Sequence, residues 1–393
     1  MPEVLVVGAG LAGLACALHL TRAGVDVALH EASSAVGGRV RTDALDGMLL
    51  DRGFQVHNTG YPEAQRVLDH DALDLKAFTA GALVRYGDRL HRVGDPRRVP
   101  TWAASTTAAP IGSLLSKAAL GAVAVRAALT PVDRLLAAPE TTTYDALRGR
   151  GVSDTTIERF LRPFLSGVFL EDRLATSSRF FDLVLRWFAR GTQCVPSAGM
   201  GAMPAQLAAL MPAGVLHLDS PVDALPAGPV VVATDPVTAG RLLPDLTVPA
   251  MQAVSTTYHL ADEPPVTDPV IVLDGERSGP VTNSVVLTNA APSYAPGRVL
   301  VSSSVVGAAA SEPEVRAHLS RLYGVDTSRW QHVRTYDVQG ALPSMAPPHD
   351  FSQPVRVRDG VWVCGDHRDN ASIQGALVSG RRAATSVLEE LRP

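Results

Sequence analysis

The hexapeptide Gly8-Ala-Gly10-Leu-Ala-Gly13, placed directly after the apolar run Val4-Leu-Val-Val7, restricts the fold of this chain more than any other feature. Four consecutive aliphatic residues read as a short strand buried on both faces of a parallel sheet. The glycines then divide the steric work: Gly8 permits a tight turn, Gly10 lets an anion approach the backbone, and Gly13 lets the next helix pack on the strand. That helix runs from Leu11 to about Ala23, and its first residues, Leu11 and Ala12, carry N–H groups and a dipole aimed at the anion. Gly24 ends it, and Val25 to His30 reads as a second strand with Glu31 at its tip, eighteen residues beyond Gly13. A carboxylate there accepts from both ribose hydroxyls of an adenosine, with Ala32 beside it. Strand, glycine loop, helix, strand and acid in this order specify a dinucleotide-binding unit. A glycine turn used for packing alone leaves Glu31 unexplained.

With 393 residues the chain is expected to form two to three units, at roughly 150 residues each. A net charge of −4 gives no footing for nucleic acid. Lysine occurs only at positions 76 and 117, so a mechanism built on a buried lysine has two candidates. Cys16, Cys194 and Cys364 are far apart and form no Cys-x-x-Cys pair, so no metal site and no redox dithiol is expected. A strand at the N-terminus without a basic, apolar leader leads us to expect a cytoplasmic protein. The most apolar stretch, Trp102 to Pro131, is interrupted by Pro110, Lys117 and Arg126, short of the ~20 apolar residues that span a bilayer. Peripheral contact with a membrane stays open.

Beyond Glu31 stand Gly37-Gly38-Arg39-Val-Arg41-Thr42 and Leu50-Asp51-Arg52-Gly53-Phe54-Gln55; near the other end stand Val361-Trp-Val-Cys-Gly365-Asp366 and Ser372-Ile-Gln-Gly375-Ala-Leu-Val-Ser-Gly380. These segments resemble the FAD-binding superfamily that includes monoamine and polyamine oxidases, protoporphyrinogen oxidase and the carotenoid (phytoene) desaturases. Two central segments fit the same pattern, Pro196 to Leu207 and Ser220-Pro-Val222 with Val230 to Pro236. The resemblance implies an α/β fold: a discontinuous Rossmann-type FAD-binding domain from 1–75, 191–245 and 346–393, and a mixed α+β substrate domain from 76–190 and 246–345. It also implies noncovalent FAD. Gly38 and Arg39 would meet the pyrophosphate, Gly53, Phe54 and Gln55 the cofactor's inner part, and the Val222 backbone the adenine. Gly365 and Asp366 would hold the ribityl or pyrophosphate region. The helix starting at Ile373 and Gln374 would point its positive end at the flavin N1–C2=O edge, where charge collects on reduction.

Strand-like runs at 251–260, 268–273, 283–289 and 298–306, with a hairpin about Gly87-Asp88, suit a substrate sheet, and 110–189 reads as mostly helical. Phe180, Phe181, Trp187 and Phe188 fit one helix face, either as core or as the lining of an apolar tunnel. Amine oxidases of the superfamily carry a lysine in the substrate sheet; Val254-Ser-Thr-Thr-Tyr258-His259-Leu has none. That departure favours dehydrogenation or desaturation of an apolar or amphipathic small molecule by hydride transfer to flavin N5, with oxygen, a quinone or a protein as electron acceptor. An amine oxidase, a redox-neutral isomerase requiring reduced FAD, and a flavin-free binding protein like the GDP-dissociation inhibitors remain as alternatives. Gln55, His57 and Tyr336 are the candidate catalytic side chains, His57 because histidine titrates near neutrality. Gln339 and His367 are further polar groups near the same motifs.

Overall fold

The strand Val4–Val7 lies inside a six-stranded sheet whose order is Leu216–His217, Val27–His30, Val4–Val7, Val230–Val232, Val361–Val363 and Arg356–Arg358. The computed structural model describes residues 3–307 and 310–391. The first five strands are parallel and the outer strand Arg356–Arg358 is antiparallel. Side chains of Val4, Val6, Val231 and Val363 are buried, as the continuous aliphatic runs require of a sheet covered on both faces. The helix Leu11–Arg22 packs against the C-terminal helix Ile373–Leu391 so closely that a Cβ on Gly380 would sit 2.2 Å from the Ala12 carbonyl oxygen. The second strand begins at Val27 rather than at Val25, because the turn after Gly24 takes the first residues of that run.

A seven-stranded sheet forms the second layer, in the order Gln331–Pro343, Met251–Ala261, Val299–Val306, Asn283–Val286, Ile271–Asp274, Gly81–Tyr86 and Arg89–Gly94. All its pairings are antiparallel except Ile271–Asp274 with Gly81–Tyr86. The run 283–289 stops as a strand at Val286 and turns into the short helix Leu287–Ala290. The long strand Gln331–Pro343 was not among the runs expected to be strands. The helices Leu114–Leu129, Arg162–Phe169 and Ser178–Arg190 supply the expected helical block. Two of them are clamped through Asp182, whose buried carboxylate receives Arg126 at 3.0 Å and Arg150 at 2.5 Å.

Two small features join the layers. His57–Asn58, Gln193–Pro196 and Leu75–Ala77 form a three-stranded sheet. Asp51, at the end of Met48–Asp51, is buried and accepts hydrogen bonds from Thr42 Oγ1 (2.5 Å), the Met200 N–H (2.9 Å) and the Tyr294 hydroxyl (2.8 Å). Its own carbonyl accepts from the Tyr258 hydroxyl at 2.9 Å. Tyr258 belongs to the seven-stranded sheet, so one residue holds that sheet against the glycine-loop side.

Candidate cofactor cleft and active site

A single cleft of about 1330 Å³ runs from the glycine loop to the helical block, touching Gly8, Gly10, Glu31, Arg39, Gln55 and Asp366 along the way. Gly8 adopts φ +102°, and a Cβ there would meet the Ala233 carbonyl oxygen at 2.9 Å. Gly10 faces open space, with no heavy atom within 4 Å of where its Cβ would stand. Gly13 is not in the lining; a Cβ on it would lie 1.9 Å from the Gly8 carbonyl oxygen, so its absence lets loop and helix touch. Leu11 and Ala12 line the cleft where the helix begins. The loop Gly37-Gly38 is stitched to this turn by the Gly37 N–H donating to the Ala9 carbonyl at 2.8 Å, and Gly38, at φ +58°, lines the same wall.

Glu31 is held from three sides: the Ala9 N–H reaches Oε2 at 2.8 Å, and the Ser33 N–H and hydroxyl reach Oε1 at 3.0 and 2.7 Å. A carboxylate has about four acceptor sites, so this arrangement fixes the group and leaves Oε2 free to take a ribose hydroxyl. Ala32 and Val222 stand beside it in the cleft, Val222 two residues after Ser220, whose N–H donates to the Glu31 carbonyl at 2.9 Å.

The resemblance assigns Arg39 and Asp366 to the cofactor separately; the structure makes them partners of each other. Arg39 Nη1 and Nη2 reach the two Asp366 oxygens at 2.8 and 2.6 Å, and Nη1 also reaches the Ala341 carbonyl at 2.9 Å. This fork joins the N-terminal loop, the strand Gln331–Pro343 and the C-terminal turn in one contact. Each Asp366 oxygen keeps acceptor capacity toward the cleft. Gly365, at φ +154°, places the turn: a Cβ there would meet the His367 ring at 2.5 Å, while its N–H donates to Ser379 Oγ at 2.9 Å. Gly53 takes φ +97°, and the next residue, Phe54, donates its N–H to Thr256 Oγ1 at 3.2 Å.

Gln55 donates from Nε2 to the Arg39 carbonyl at 2.7 Å, while its buried Oε1 has no partner among the described residues. An unspent acceptor inside the cleft, an open cradle at Gly10 and a preset carboxylate at Glu31 together fit a bound dinucleotide with hydrogen-bond donors along its length. Ser372 and Ile373 bring the start of the helix Ile373–Leu391 to the same wall. Gln374 is placed otherwise: its side-chain oxygen accepts the Glu63 N–H at 2.9 Å, and it is not among the lining residues. Cys364 is buried and also outside the lining.

His57 and Tyr336 do not line the cleft either. His57 is fully buried in a strand paired with Gln193–Pro196, its Nε2 lies 3.1 Å from His70 Nε2, and burial with the neighbouring His70 holds its pKa down at about 3. The Tyr336 hydroxyl donates to Asp43 at 2.8 Å, and burial pushes its pKa up to about 12. His367 is buried with neither ring nitrogen bonded, its pKa brought down by burial to about 4, and it too stands outside the lining, as does Gln339. The variants His57→Asn and Tyr336→Phe are expected to leave the pH dependence of flavin reduction unchanged across neutral pH. A pH profile displaced by either substitution, read by anaerobic stopped-flow absorbance, would overturn that placement.

Past Gln55 the cleft forms a chamber lined by residues 54–61, 160–193, 254–285 and 338–342, which contribute only uncharged side chains, and by residues 78–98 and 106–125, which add Asp95, Arg97, Arg98 and Lys117. Aromatic rings, among them Phe54, Tyr61, Phe164, Phe180, Trp187 and Phe188, stand in it among a larger number of aliphatic side chains. Of the aromatic group on the helix Ser178–Arg190, Phe180, Trp187 and Phe188 thus line the chamber, and Phe181 turns into the helical core. Lys117, the lysine in the wider lining, spends its ammonium on the Thr107 and Ala109 carbonyls at 2.6 and 2.7 Å. Arg98 likewise spends its guanidinium on the Phe188 and Gly191 carbonyls and on Thr192. Reading the sequence missed Asn58, Tyr61 and Gln193 as cleft residues, because what places them there is the pairing of two short strands distant in the chain.

Comparison with known proteins agrees with this architecture. The chain is 26% identical to hydroxysqualene dehydroxylase of Rhodopseudomonas palustris, with 98% of each chain covered. Its fold superposes on an oxidoreductase of Methanosarcina mazei with a TM-score of 0.75 at 16% identity, over 99% of this chain and 100% of that one. It superposes on cyclohexylamine oxidase of Brevibacterium oxydans with a TM-score of 0.70 at 16% identity, over 99% of each. The family model for flavin containing amine oxidoreductases matches residues 11–235 and 223–388, a span that includes Glu31, Arg39 and Asp366 as well as the chamber. The chain belongs to the flavin-containing amine oxidoreductase family and is an FAD-dependent oxidoreductase.

Proposed function

We propose that this enzyme dehydrogenates or desaturates an apolar or amphipathic small molecule held in the aromatic chamber. The observation that carries the reading is the wall along residues 54–61, 160–193, 254–285 and 338–342, which presents rings, aliphatic groups and amides to the cleft, while the charged groups beside it are already spent, Asp95 on Arg97 and Arg98 and Lys117 on backbone carbonyls. When bound, FAD supplies two-electron oxidation by taking a hydride from a C–H bond of the substrate. The residues of the chain supply place and environment. Aromatic side chains exclude water and align the substrate chain. Gln55 and the Arg39–Asp366 fork fix the inner end of the cleft. The Tyr61 phenol in the wall has its pKa pushed up by burial, so it positions the substrate rather than exchanging protons with it.

A protonated amine in the same chamber would lose its hydration with no unpaired carboxylate to replace it, Asp95 being held by Arg97 at 2.6 Å, at a cost of several kcal/mol. The absence of a lysine from the strand Met251–Ala261 points the same way. Similarity along the whole chain to a protein named for hydroxysqualene supports a long hydrocarbon-like substrate. The test is anaerobic bleaching of the bound flavin by isoprenoid and fatty substrates on one side and by alkylamines on the other. Stoichiometric bleaching by the former alone is expected. Bleaching by amines alone would sink the reading, and turnover that needs pre-reduced flavin with no net electron use would move it to isomerisation. Adding air, a quinone or cell extract to the bleached enzyme then identifies the acceptor.

We further propose that substrate arrives from a lipid surface. No helix among the described residues is long and apolar enough to cross a membrane. The helix Leu114–Leu129 nevertheless exposes Leu114, Leu115 and Leu129 while its Leu114, Gly121 and Val125 line the cleft. Leu115, 80% exposed, is the outermost of these. Replacing it by glutamate is expected to release the enzyme from phosphatidylglycerol vesicles in a flotation assay without loss of bound flavin. Equal flotation of the two forms would refute contact by this face.

A further inference from the structure

Beyond Gln55, the chamber wall leaves polar groups unspent at the pair Asn58 and Gln193. Asn58 and Gln193 stand directly opposite each other in the antiparallel pair His57–Asn58 with Gln193–Pro196, so their side chains share a face, and both residues line the cleft. Asn58 is buried, and its orientation is fixed because its Oδ1 accepts the Gly60 N–H at 2.7 Å. The NH2 group therefore occupies the other position, and Asn58 Nδ2 is buried with no acceptor among the described residues. Gln193 Nε2 is in the same condition. Turning the Gln193 amide over does not remove the excess. As it stands the pair buries two amide donors that nothing in the cleft can touch; turned over, Gln193 gives Asn58 Nδ2 its acceptor and presents one NH2 to the chamber, where an apolar substrate would cover it.

Leaving such a donor without an acceptor costs free energy, and native proteins keep few of them. No acceptor for either amide nitrogen is found among the described residues. An oxygen on the substrate supplies one.

We propose that Asn58 and Gln193 form an oxygen-recognition subsite, which selects hydrocarbon-like substrates that carry a hydroxyl or carbonyl group and fixes where along the cleft that group lies. The inference rests on the apolar-substrate reading above and narrows it, from any apolar molecule to one with an oxygen function at a set position. An alkane fits the rest of the chamber but leaves the donors unmatched. A ketone offers acceptor lone pairs alone, so it isolates donation by the protein from donation by the ligand. Asn58 and Gln193 are specificity residues: they touch substrate away from the bond that is oxidised.

The probes are dodecane, dodecan-2-one and dodecan-1-ol, titrated into the FAD-loaded enzyme under air-free conditions and followed by the shift of the flavin absorbance and by tryptophan quenching. Wild type is expected to bind the ketone and the alcohol about tenfold more tightly than the alkane, the ratio that one buried hydrogen bond supplies. Gln193→Met, which removes no hydrogen bond found within the protein, should shrink that ratio to about two- to threefold while changing alkane affinity by no more than about twofold. Asn58→Asp keeps the acceptor for the Gly60 N–H and removes the donor, so it should weaken the ketone more than the alkane. Equal preference for the oxygenated probes in wild type and in both variants would overturn the subsite, and so would a wild type that binds alkane and ketone alike. Failure of all three probes to bind wild type would instead overturn the apolar-chamber reading, and the subsite with it.

Discussion

Gly10→Val is expected to strip FAD from the enzyme while leaving the apoprotein as stable as wild type. The two halves of that result separate a cofactor role from a packing role. Gly10 sits at φ −70° and ψ 175°, a conformation open to any residue, and a Cβ on it would touch nothing within 4 Å. Valine therefore meets no backbone strain and no contact at its Cβ in the empty cleft, and an unfolding midpoint within about 1–2 °C of wild-type apoprotein is expected. The same side chain fills the space a diphosphate needs for close approach to the loop. A loss of at least about a hundredfold in FAD affinity, roughly 2.7 kcal/mol, is the expected size. Flavin absorbance per protein after purification and titration of apoprotein with FAD give the measurement. A Gly10→Val protein that purifies with a full complement of flavin would remove the glycine loop from the cofactor site. Gly13 gives the contrast: even alanine there would press within 1.9 Å of the Gly8 carbonyl oxygen, so Gly13→Ala should lower stability and FAD affinity together.

The largest loss of stability is expected from Asp51→Ala. Three donors converge on this carboxylate, from Thr42, Met200 and Tyr294, and all would be left buried without an acceptor. A loss of about 3–5 kcal/mol is expected, read as a lower urea midpoint of the FAD-free protein. A midpoint equal to that of wild type would show that these three bonds do not stabilise the junction around Asp51. Asp51→Asn keeps an acceptor for Thr42 and Met200 and should cost less. The pH dependence supplies a second reading. Burial raises the Asp51 pKa from 3.8 to about 6 in the folded protein. The folded state thus holds this proton more tightly than the unfolded chain does. As pH rises from about 4 to about 6 the unfolded chain ionises first, so this group's contribution to stability falls over that window and is constant above it. Asp51→Asn, having no proton to lose, should lack that part of the slope.

The legible parts of the fold were those written in local sterics. Glycine spacing between Val7 and Leu14 specifies turn, cradle and packing contact within a few residues, and the structure realises all three. The strand Gln331–Pro343 escaped notice because it is an edge strand with Arg334, Asp337 and Gln339 along it, and its side chains are mostly half-exposed or exposed. Polar residues at an edge carry none of the aliphatic signal that marked Val4–Val7. Ending the run 283–289 at Val286 depends on the helical turn closed by Ala291, where the backbone N–H returns to the Leu287 carbonyl. β-branched composition does not reveal where such a turn begins.

In the site, sequence pattern located groups by segment but could not tell which way each side chain faces. Arg39 and Asp366 were both found, yet their mutual ion pair spans 327 positions and no spacing rule announces it. His57 was attractive for its intrinsic titration, but one position of strand register decides the matter: His57 faces His70, and Asn58 beside it lines the cleft. Alternation along a strand sends neighbours to opposite faces, and its phase at this pair is set by the partner strand Gln193–Pro196. Gln374 illustrates the same limit on a helix, since its backbone stands in the first turn while its side chain is tied to Glu63.

The order of strands in the six-stranded sheet has a consequence for biosynthesis. Val4–Val7 is made before its neighbour on one side, Val230–Val232, which in turn waits for Val361–Val363. Contacts of such long sequence separation form slowly. A nascent chain must therefore carry its finished glycine loop, with one flank of β-structure exposed, until the strand Val361–Val363 has been made. Prosthetic-group capture is then a late event, and the half-made protein is the form most in need of a chaperone.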